Sequence, residues 1–447
     1  MQAEEIFSQV VDAARALGVT EIEAIVSSES EALTRFANNA IHQNVAERTT
    51  QISVRPLIDG RTARATTNRA GRDAIRRVVE ESIALARLME PDPDLLPLAE
   101  PAACPVVNPS IARHFEATAQ ATPAQRARAV AEAIGAVESA GQTAAGIYST
   151  ADATFALFNS RGVAARHTET MARFSITAMA GASSGWTKAS ACNLADLNPL
   201  HLAQTAARKA TESLHPRELP PGRYTVILEP AAVLDLVGQM FADFSATAIR
   251  DGRSFLNDRL GHKLFGDNIT IYDDALHPAQ SGAPFDGEGV PRRRLTLVDC
   301  GVVREIAYSR HAAALAGVPP TGHGLPLPND FGEAPANLVI AGGPSSVDEM
   351  VAATERGILV TRLWYIREVD PYEKIFTGMT RDGTFLVESG RVTAGLRNFR
   401  FNVGLMEMLS NVEAIGPSVR TSGEETFDMV VPPMKARDFN FTEVTRF

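Results

Sequence analysis

The sequence predicts an α+β protein made of two domains, and three observations support that prediction. Helical and strand patterns alternate over residues 1–215, which is typical of helices packed on an antiparallel sheet. Short strand and turn patterns dominate residues 224–447, which indicates a β-rich C-terminal domain. Between them, "HPRELPPGRY" contains three prolines and a glycine, so residues 216–223 are predicted to be a linker.

The N-terminal domain is predicted to begin with a helix over residues 4–17, which Gly18 would end. Strands are expected between residues 21 and 68, with "IDGR" as a tight turn between two alternating runs. A helix over residues 72–89 would bury an apolar face that includes Leu85. The proline-rich residues 90–109 are predicted to be an extended connector.

A second series of helices and strands starts at Thr122. This residue can cap a helix whose first residue is Pro123, and the helix is predicted to end near Gly141. Strands should follow, with "NSRG" as a turn after "TFALF". Asn198 and Pro199 have the same cap-and-proline pattern, which predicts a further helix.

Two helices are predicted in the C-terminal domain, over residues 231–248 and 346–355. The segments "LTLVDCGVVREIAYSR" and "TFLVESGRVTAGLRNF" share one order of strand, acidic residue, small residue, glycine and strand. They predict two hairpins with Cys300 and Ser389 at the tips, where glycine supplies the positive φ of such turns. The Asp-Gly pair at 382–383 and the Ala-Gly pair at 394–395 are predicted to be tight turns as well.

Composition and charge exclude several classes of function. The 447 residues have a net charge of −10, and the longest basic run, "PRRRL", is too short for a phosphate-binding stripe, so nucleic acid is not an expected partner. No apolar run is long enough for a membrane span, which makes a cytoplasmic location the default. The three cysteines, Cys104, Cys192 and Cys300, are too scattered for a disulfide framework or a zinc ribbon.

The common catalytic motifs are missing. None of the nine histidines precedes a glutamate, which excludes HExxH and HExxxH, and no G-x-S-x-G, Walker A or G-x-G-x-x-G occurs. A Cys-His hydrolase would need Cys300 beside His311 or His323, which the sequence neither supports nor excludes. One polar cluster could ligate a cation or simply form turns at strand ends. Its members are Asp267, Asp273, Asp274, His277, Asp286 and Glu288.

Five segments together resemble the TldD/PmbA proteins, once called modulators of DNA gyrase, over essentially the whole chain. The segments are "GVTEIEAIVSSESEALTRFANNAIHQNVAERTTQISVRPLIDGRTARATTN", "SFLNDRLGHKLFGDNITIYDDAL", "FDGEGVPRRRLTLVDCGVV", "GHGLPLPNDFGEAPANLVIAGG" and "FTGMTRDGTFLVESGRV". The resemblance implies a cytosolic zinc metalloprotease that works as a heterodimer on unfolded or extended peptides, including precursors of ribosomally made peptides. Its TldD-type subunit has HExxxH on a helix and a later cysteine as third ligand.

This sequence departs from the TldD type at the metal site. Counting back from "SFLNDRLG" places the HExxxH helix near residues 236–241, where the two histidine positions are Leu236 and Phe241. No cysteine follows Cys300. The chain therefore resembles the TldE/PmbA type, so we expect no metal in it and zinc in an HExxxH-bearing partner.

The leading hypothesis is a non-catalytic partner subunit of such a protease. The alternatives are a stand-alone peptide-binding protein or homodimer without catalysis, and a hydrolase with a non-zinc mechanism. Candidate cleft residues are Ser254 and Phe255, with a core position as the alternative for the phenylalanine, and His323, as an exposed loop ligand or a solvated loop histidine. Thr377 and Gly378 are candidates for contact with a substrate backbone, with a simple turn as the alternative.

Overall fold

The computed structural model describes residues 2–102 and 111–445, and its strands form three sheets. One sheet belongs to the N-terminal half and two belong to the C-terminal half. The predicted α+β class is confirmed, because helices pack against sheets that are mainly antiparallel. Residues 103–109 of the predicted connector, including Cys104, lie outside the described residues.

The N-terminal half contains five helices and seven strands within the described residues. In chain order they are α1 (Ala3–Ala16), β1 (Ile22–Ala37), β2 (Ala40–Ile58), β3 (Arg61–Thr62), β4 (Ala65–Thr67), α2 (Arg72–Leu88), α3 (Glu116–Ala119), α4 (Pro123–Ser139), β5 (Thr143–Asn159), β6 (Ala164–Ala180), β7 (Ser183–Ala191) and α5 (Pro199–Glu212). The strands lie in the order β3-β2-β1-β5-β6-β7, and β4 also pairs with β2.

The predicted helix starts in this half are confirmed by their caps. Thr122 Oγ1 accepts from the Gln125 N–H at 3.2 Å, and Asn198 Oδ1 accepts from the His201 N–H at 3.0 Å. The predicted apolar face of α2 is wrong at one position: Leu85 is exposed, and Ser82 is buried instead. The helical period brings position 82, rather than 85, onto the same stripe as the buried residues around it.

The helices cover one face of the long sheet in two separate places. α1 and α2 pack over one end of the strands, against Ala24 and Val26, while α4 and α5 pack near the other end, around Phe36. These three β1 residues have even numbers and therefore lie on one face of the strand. The opposite face, on which Ile25 lies, packs against Phe285 of the C-terminal half.

Two asparagines form the tip of the long hairpin of β1 and β2, a turn that was not predicted from the sequence. Asn38 and Asn39 have φ values of 51° and 58° and connect β1 directly to β2. Asparagine tolerates this left-handed conformation because its short side chain bonds locally. The predicted "IDGR" turn is confirmed, with positive φ at Asp59 and Gly60 between β2 and β3.

The C-terminal half contains five helices and thirteen strands within the described residues. In chain order they are β8 (Gly222–Leu228), α6 (Pro230–Val237), α7 (Ala246–Arg250), β9 (Ile271–Asp273), β10 (Leu295–Asp299), β11 (Val302–Val303), α8 (Arg310–Ala316), β12 (Leu338–Ile340), α9 (Val347–Ala352), β13 (Arg356–Asp370), β14 (Ile375–Glu388), β15 (Arg391–Gly395), β16 (Phe399–Gly404), α10 (Leu405–Ser410), β17 (Val412–Ile415), β18 (Val419–Thr421), β19 (Met429–Val431) and β20 (Met434–Val444). β8 begins at Gly222, inside the predicted linker.

Five of these strands close into a barrel. The third sheet has the order β13-β8-β20-β16-β14-β15, and β13 also pairs with β14. Phenylalanine rings fill the core here, with the ring centroid of Phe441 4.8 Å from Phe399 and 5.0 Å from Phe439. The second sheet, β11-β10-β9-β12-β19-β18, shares the same core.

The two predicted hairpin tips are confirmed, but the Asp-Gly turn is wrong. Cys300 and Ser389 have φ values of 46° and 48°, and each precedes a glycine with positive φ. Asp382 and Gly383 instead lie within the continuous strand β14. Both residues have positive φ, 53° and 134°, at a register shift between β13 and β14, so the Asp-Gly preference appears as an irregularity in the strand instead of a turn. Asp382 is buried there, where it forms an ion pair with Arg362 and accepts a hydrogen bond from its Nε at 2.9 Å.

The predicted helix over residues 231–248 is also wrong as a single element. α6 ends at Val237, a 3₁₀ turn covers Gly238–Asp243, and Ser245 caps the separate helix α7. Gly238 allows the chain to tighten here, because Thr426 packs where a side chain would otherwise project. The helix predicted over residues 346–355 has its capping box at Ser346 but is shorter, because β13 begins at Arg356.

No helix among the described residues combines the length and the apolar character needed to cross a bilayer.

Candidate functional site

The helix at the position expected for a metal site is apolar and covered. Leu236 is fully buried in α6, and Phe241, in the following 3₁₀ turn, packs edge-on against Phe427 with a centroid distance of 6.1 Å. Neither side chain has an atom that could ligate zinc. Within residues 2–102 and 111–445, no group of three or more His, Cys, Asp or Glu residues is arranged to hold a metal ion. The residues at this position therefore do not fit the zinc ion that the resemblance assigns to the TldD type.

A single buried carboxylate on α6 holds the covering segment, residues 422–428, which we call the 422–428 loop. Asp235 Oδ1 accepts from the Glu424 N–H at 3.3 Å, and Oδ2 accepts from the Leu363 N–H at 3.3 Å. Burial raises the pKa of Asp235 to about 7, against the opposing effect of the backbone N–H donors and the charge of Arg362. The loop thus lies against α6 through backbone contacts, and the helix face is closed to solvent at Leu236.

The predicted acidic cluster separates into members with different roles. Asp273 is fully buried, and its Oδ1 lies 2.9 Å from His323 Nε2, while its Oδ2 accepts from the Asn337 N–H at 2.6 Å. Burial alone would raise the pKa of Asp273, but the hydrogen bond and charge of His323, with help from Arg292 and Asn337, hold it below its usual value. The expected exposure of His323 is wrong, because this pair is enclosed in the fold.

Asp286 is the structural centre of the "FDGEG" turn. Its Oδ1 accepts from the N–H groups of Glu288 and Val290 at 2.9 and 2.8 Å, and its Oδ2 accepts from the Gly324 N–H at 2.7 Å. Asp274 likewise accepts from the Leu276 N–H at 2.9 Å. Such Asx turns explain why acidic residues collect at these strand ends without any need for a cation.

Glu288 differs from the other buried members of the cluster because it lines a cavity. The cavity has a volume of about 440 Å³, lies between the two halves, and is called the acidic cavity below. Only 4% of Glu288 is exposed, and its Oε2 accepts from the Arg310 N–H at 2.8 Å. Burial, with the nearby charge of Asp286, raises the pKa of Glu288 to about 7, although Arg310 and Arg55 oppose that rise.

A second concavity, of about 800 Å³, also lies along the boundary between the halves, and we call it the polar groove. Its floor is the face of the long sheet opposite the helices, and Ala283 of the C-terminal half forms part of its wall. The groove includes His167, whose Nε2 lies 3.2 Å from Glu169 Oε2, and this carboxylate accepts from the Gly282 N–H at 2.7 Å. Hydroxyl and amide side chains supply most of its other polar groups: Ser27, Ser28, Thr49, Thr50, Gln51, Thr66, Thr67, Asn68 and Thr154.

Among the described residues, no strand pairs with the outer edge of β2 over most of its length. β2 pairs with β1 from Ala40 to Pro56. On its other side, its pairing with β4 starts only at Ile52 of β2. Residues 40–51, called the β2 edge below, are also largely exposed on both faces. They contain neither proline nor lysine, two residues that proteins often use to protect a free edge, and their only charged side chains other than histidine are Glu47 and Arg48.

The structure does not bring the five predicted cleft residues together. Ser254 Oγ donates to the Asp243 carbonyl at 2.8 Å, and Phe255 is fully buried against Phe244, so both occupy the core position that the sequence left open for the phenylalanine. Thr377 lies in β14, between β13 and β16, and Gly378 is paired with Phe401 of β16. Neither forms a turn, and the edges at Thr377 are already taken by neighbouring strands.

Cys300 and the "PRRRL" run have ordinary surroundings. Cys300 is exposed at its hairpin tip, and in the part of the chain that the structure describes no hydrogen bond joins it to His311 or His323. Arg293 Nη1 lies 2.8 Å from Glu305 Oε1, and the Arg294 guanidinium lies 3.8 Å above the Tyr272 ring. Arg293 and Arg294 therefore already have partners within this chain.

Sequence reasoning missed the features that distinguish this molecule most. The β2 edge is invisible in a strand pattern, because the pattern does not say which strand lies at the end of a sheet. Asp235 had a signal, as the only charged residue in the apolar segment "PAAVLDLV". The special position of Glu288 depends on residues from the other half, so no local pattern could indicate it.

Three domain models of one protein family match successive parts of this chain. Models of the PmbA/TldA metallopeptidase domain 1, central domain and C-terminal domain match residues 22–86, 109–214 and 221–443, respectively. These matches assign the chain to the class of PmbA/TldA metallopeptidase-like proteins. The matches cover most of the sequence, and the chain belongs to the PmbA/TldD family.

Individual relatives are distant. A metalloprotease of Methanothermobacter thermautotrophicus is 24% identical over 229 residues, covering 49% of this chain and 48% of that protein. A metalloprotease TldD homolog of Buchnera aphidicola is 24% identical over 233 residues, covering 49% and 46%. The chain thus spans about half the length of the curated relatives it matches. TldE from Thermococcus kodakarensis superposes with a TM-score of 0.88 at 19% identity, over 98% of this chain and 100% of that one, which shows a shared fold.

Proposed function

We propose that this chain is the non-catalytic, metal-free partner subunit of a TldD/TldE-type heterodimeric zinc metalloprotease that cleaves unfolded or precursor peptides. The observation that carries the proposal is the composition of the α6 region. Leu236 and Phe241 occupy the positions at which HExxxH histidines are expected, and Phe427 packs on Phe241. Apolar residues there allow the helix to pack as core without leaving buried polar ligands unpaired.

On this proposal, zinc and the general base belong to an HExxxH-bearing subunit, where two histidines and a thiolate would leave one position for water. This chain would contribute binding surface and stability to the pair. We place the assembly in the cytoplasm, and we expect no role in binding nucleic acid.

The β2 edge is the surface that we propose for the partner subunit. A strand added along residues 40–51 would extend the long sheet through main-chain hydrogen bonds. An exposed edge of this length invites uncontrolled pairing unless a partner covers it. The polar groove and the acidic cavity, which lie between the two halves, are then left for the peptide.

Native mass spectrometry of the chain alone, and of the chain co-expressed with an HExxxH homologue, tests this proposal. The expected result is a metal-free chain that forms a 1:1 heterodimer containing one zinc, with peptide cleavage only in the heterodimer. Stoichiometric zinc on the isolated chain, or failure to pair with any HExxxH homologue from the same genome, would overturn it.

The alternative, a stand-alone peptide-binding protein or homodimer, is favoured by one observation: the polar groove and the acidic cavity are built from this chain alone. The same experiment separates the two functions. A homodimer that binds extended peptide without cleaving it, and that ignores the HExxxH homologue, would support the alternative. Cleavage by the isolated chain in the presence of a chelator would instead support a hydrolase with a non-zinc mechanism.

A further inference from the structure

We infer that the acidic cavity is a binding site for a positively charged side chain, lysine or arginine, with Glu288 as the residue that receives the cation. The recognition of a cation rests on the cavity itself, whereas the identification of the ligand as a peptide side chain rests on the proposed function.

One carboxylate oxygen of Glu288 has no hydrogen-bond donor among the described residues. Its Oε2 accepts from the Arg310 N–H, but no described residue donates a hydrogen bond to Oε1. Glu288 is only 4% exposed and lines the cavity, so Oε1 can be satisfied only from within that space. Oε1 is not fully enclosed by protein, and its remaining accessible surface faces the cavity. A carboxylate oxygen in that position can accept a hydrogen bond from a ligand or from water.

The walls of the acidic cavity carry mainly negative charge. Besides Glu288, four exposed aspartates line the cavity: Asp92, Asp94, Asp251 and Asp330. The basic residues on the walls are Arg250 and His311. Arg310 and Arg55 also act on Glu288, but Arg55 is already paired with Glu23 at 2.8 Å. Asp251 pairs with Arg250 at 3.2 Å and with Arg253 at 2.9 Å, so the other acids remain in excess. The exposed aspartates mark the mouth and the buried glutamate marks the deep end, so the field draws a cation inward.

The lining of the acidic cavity suits a lysine or arginine side chain better than a metal ion. The carboxylates do not converge on a point, since no three acidic, histidine or cysteine side chains in the described ranges could share a metal ion. Leu95, Leu96, Leu327 and Pro328 also line the cavity and offer an apolar surface. Lysine and arginine combine an apolar stem with a charged head, which matches an apolar wall that leads to a single carboxylate.

The rigidity of the receiving group supports the assignment. Glu288 follows the turn that Asp286 closes through three backbone N–H groups, and the Arg310 N–H fixes one of its oxygens. The carboxylate is therefore held in place before any ligand arrives, so little ordering entropy opposes binding.

Calorimetric titration of the full chain with two probes tests the inference. The probes are the tripeptide acetyl-Ala-Lys-Ala-amide and n-butylammonium, and the matched neutral peptide carries Nζ-acetyllysine. We expect saturable binding of the lysine peptide and about tenfold weaker binding, or none, of the neutral peptide, as a charge-assisted hydrogen bond predicts. Glu288→Gln should weaken binding by a similar factor while keeping an acceptor for the Arg310 N–H.

Two further variants make the result decisive. Asp330→Asn, at an exposed cavity position, should weaken binding by a smaller factor, and Asp267→Asn, at a carboxylate that is 84% exposed and outside the cavity, should leave it unchanged. Equal binding of the charged and neutral peptides, or unchanged binding by Glu288→Gln, would overturn the inference. Binding of n-butylammonium that depends on Glu288, without binding of the lysine peptide, would support the cation site and contradict the peptide role in the proposed function.

Discussion

Two acids that are two positions apart in one turn have opposite roles. Asp286 is saturated by backbone donors and holds the turn together, whereas Glu288 has a free oxygen in a cavity. The sequence segment "FDGEG" presents both as equivalent candidates for a cation site. Only the packing of the two halves separates them, because the cavity walls come from residues as distant as Asp92 and Asp330.

Glu288→Gln should reduce the dependence of folding stability on pH. Burial and the charge of Asp286 raise the pKa of Glu288 from 4.5 to about 7. A carboxyl whose pKa is raised by folding contributes its full stability below pH 4.5 and loses that contribution as the pH rises towards 7. The glutamine variant has no such loss, so its free energy of unfolding should gain on the parent by up to about 3 kcal/mol between pH 5 and pH 8.

Urea denaturation at both pH values measures this difference. Asp267→Asn is the control, because it makes the same kind of change at a carboxyl group that is 84% exposed and lies outside the cavity. Parallel pH profiles for the parent and Glu288→Gln would contradict the assigned pKa.

At the scale of elements, close backbone approach determines which glycines are required. Gly185 in β7 lies against α5, where an added Cβ would overlap the Ala206 carbonyl oxygen and come within 2.5 Å of the Ala210 nitrogen. Gly185→Ala should therefore lower the free energy of unfolding by about 1–3 kcal/mol, as overpacking does. Gly135, within α4, has no atom within 4 Å of its added Cβ, so Gly135→Ala should raise stability by about 0.5–1 kcal/mol.

Thermal and urea unfolding of the two alanine variants test this pair. The opposite signs make each variant the control of the other, since both changes add one methyl group to a glycine. A loss of stability in both would show that α4 is packed more tightly than the structure indicates.

Local chemistry predicts elements well where it acts alone. The caps at Thr122 and Asn198 and the tips at Cys300 and Ser389 depend on residues within a few positions, and the sequence predicts them correctly. Distant contacts account for the errors. Thr426 packs over Gly238 and the helix breaks there, while Arg362 buries Asp382 within a strand.

The same reasoning applies to the candidate site. Leu236 and Phe241 could be predicted as apolar replacements because the resemblance supplied a reference pattern. Phe255 and His323 could not be placed, since a buried aromatic residue and a buried histidine look the same in sequence as exposed ones. The structure does not bring the five predicted cleft residues together, and the acidic cavity is lined by residues of both halves.

The β2 edge offers the sharpest test of the proposed assembly. Val45 lies in this edge and is 37% exposed, and Val392, in the end strand β15, is also 37% exposed. Val45→Lys should weaken association with an HExxxH homologue by about tenfold, because a lysine on an edge opposes the docking of another strand. Val392→Lys is the matched control and should leave association unchanged.

Analytical ultracentrifugation of the mixed subunits measures the association. Both variants should keep the thermal stability of the parent, since neither valine is buried. Equal weakening by both, or by Val392→Lys alone, would move the interface away from the β2 edge.

At the scale of the whole molecule, polar contacts join the two halves around the cavities. Arg113 Nη1 donates to the Gly282 carbonyl at 3.1 Å, and Lys188 Nζ donates to the Gly423 carbonyl at 2.7 Å. Asp428 is the centre of another such contact. These contacts join the halves whose residues line the polar groove and the acidic cavity.

Asp428→Asn should loosen this junction without unfolding either half. Asp428 Oδ2 accepts from Ser190 Oγ at 2.9 Å, from Arg420 Nη2 at 3.1 Å and from Arg173 Nη2 at 3.3 Å, so one carboxylate joins β6, β7 and β18. Burial would raise the pKa of Asp428. The charges of Arg173 and Arg420, together with hydrogen bonds from the hydroxyls of Ser422 and Ser190, hold that pKa below its usual value. The stabilisation is therefore present above pH 3.8 and is lost as the pH falls through the lowered pKa.

Hydrogen–deuterium exchange at neutral pH measures the loosening. We expect faster exchange in β7 and in the 422–428 loop, with unchanged exchange in the barrel strands β16 and β20, because the contact joins the halves rather than the barrel. Glu443→Gln is the control: its carboxylate is 71% exposed, and its ion pair with Arg400 at 3.8 Å should contribute almost nothing. Faster exchange throughout the chain would mean that Asp428 supports the whole fold, and unchanged exchange would mean that the halves are held together elsewhere. Only faster exchange confined to the junction fits a molecule in which one carboxylate keeps the two halves in register.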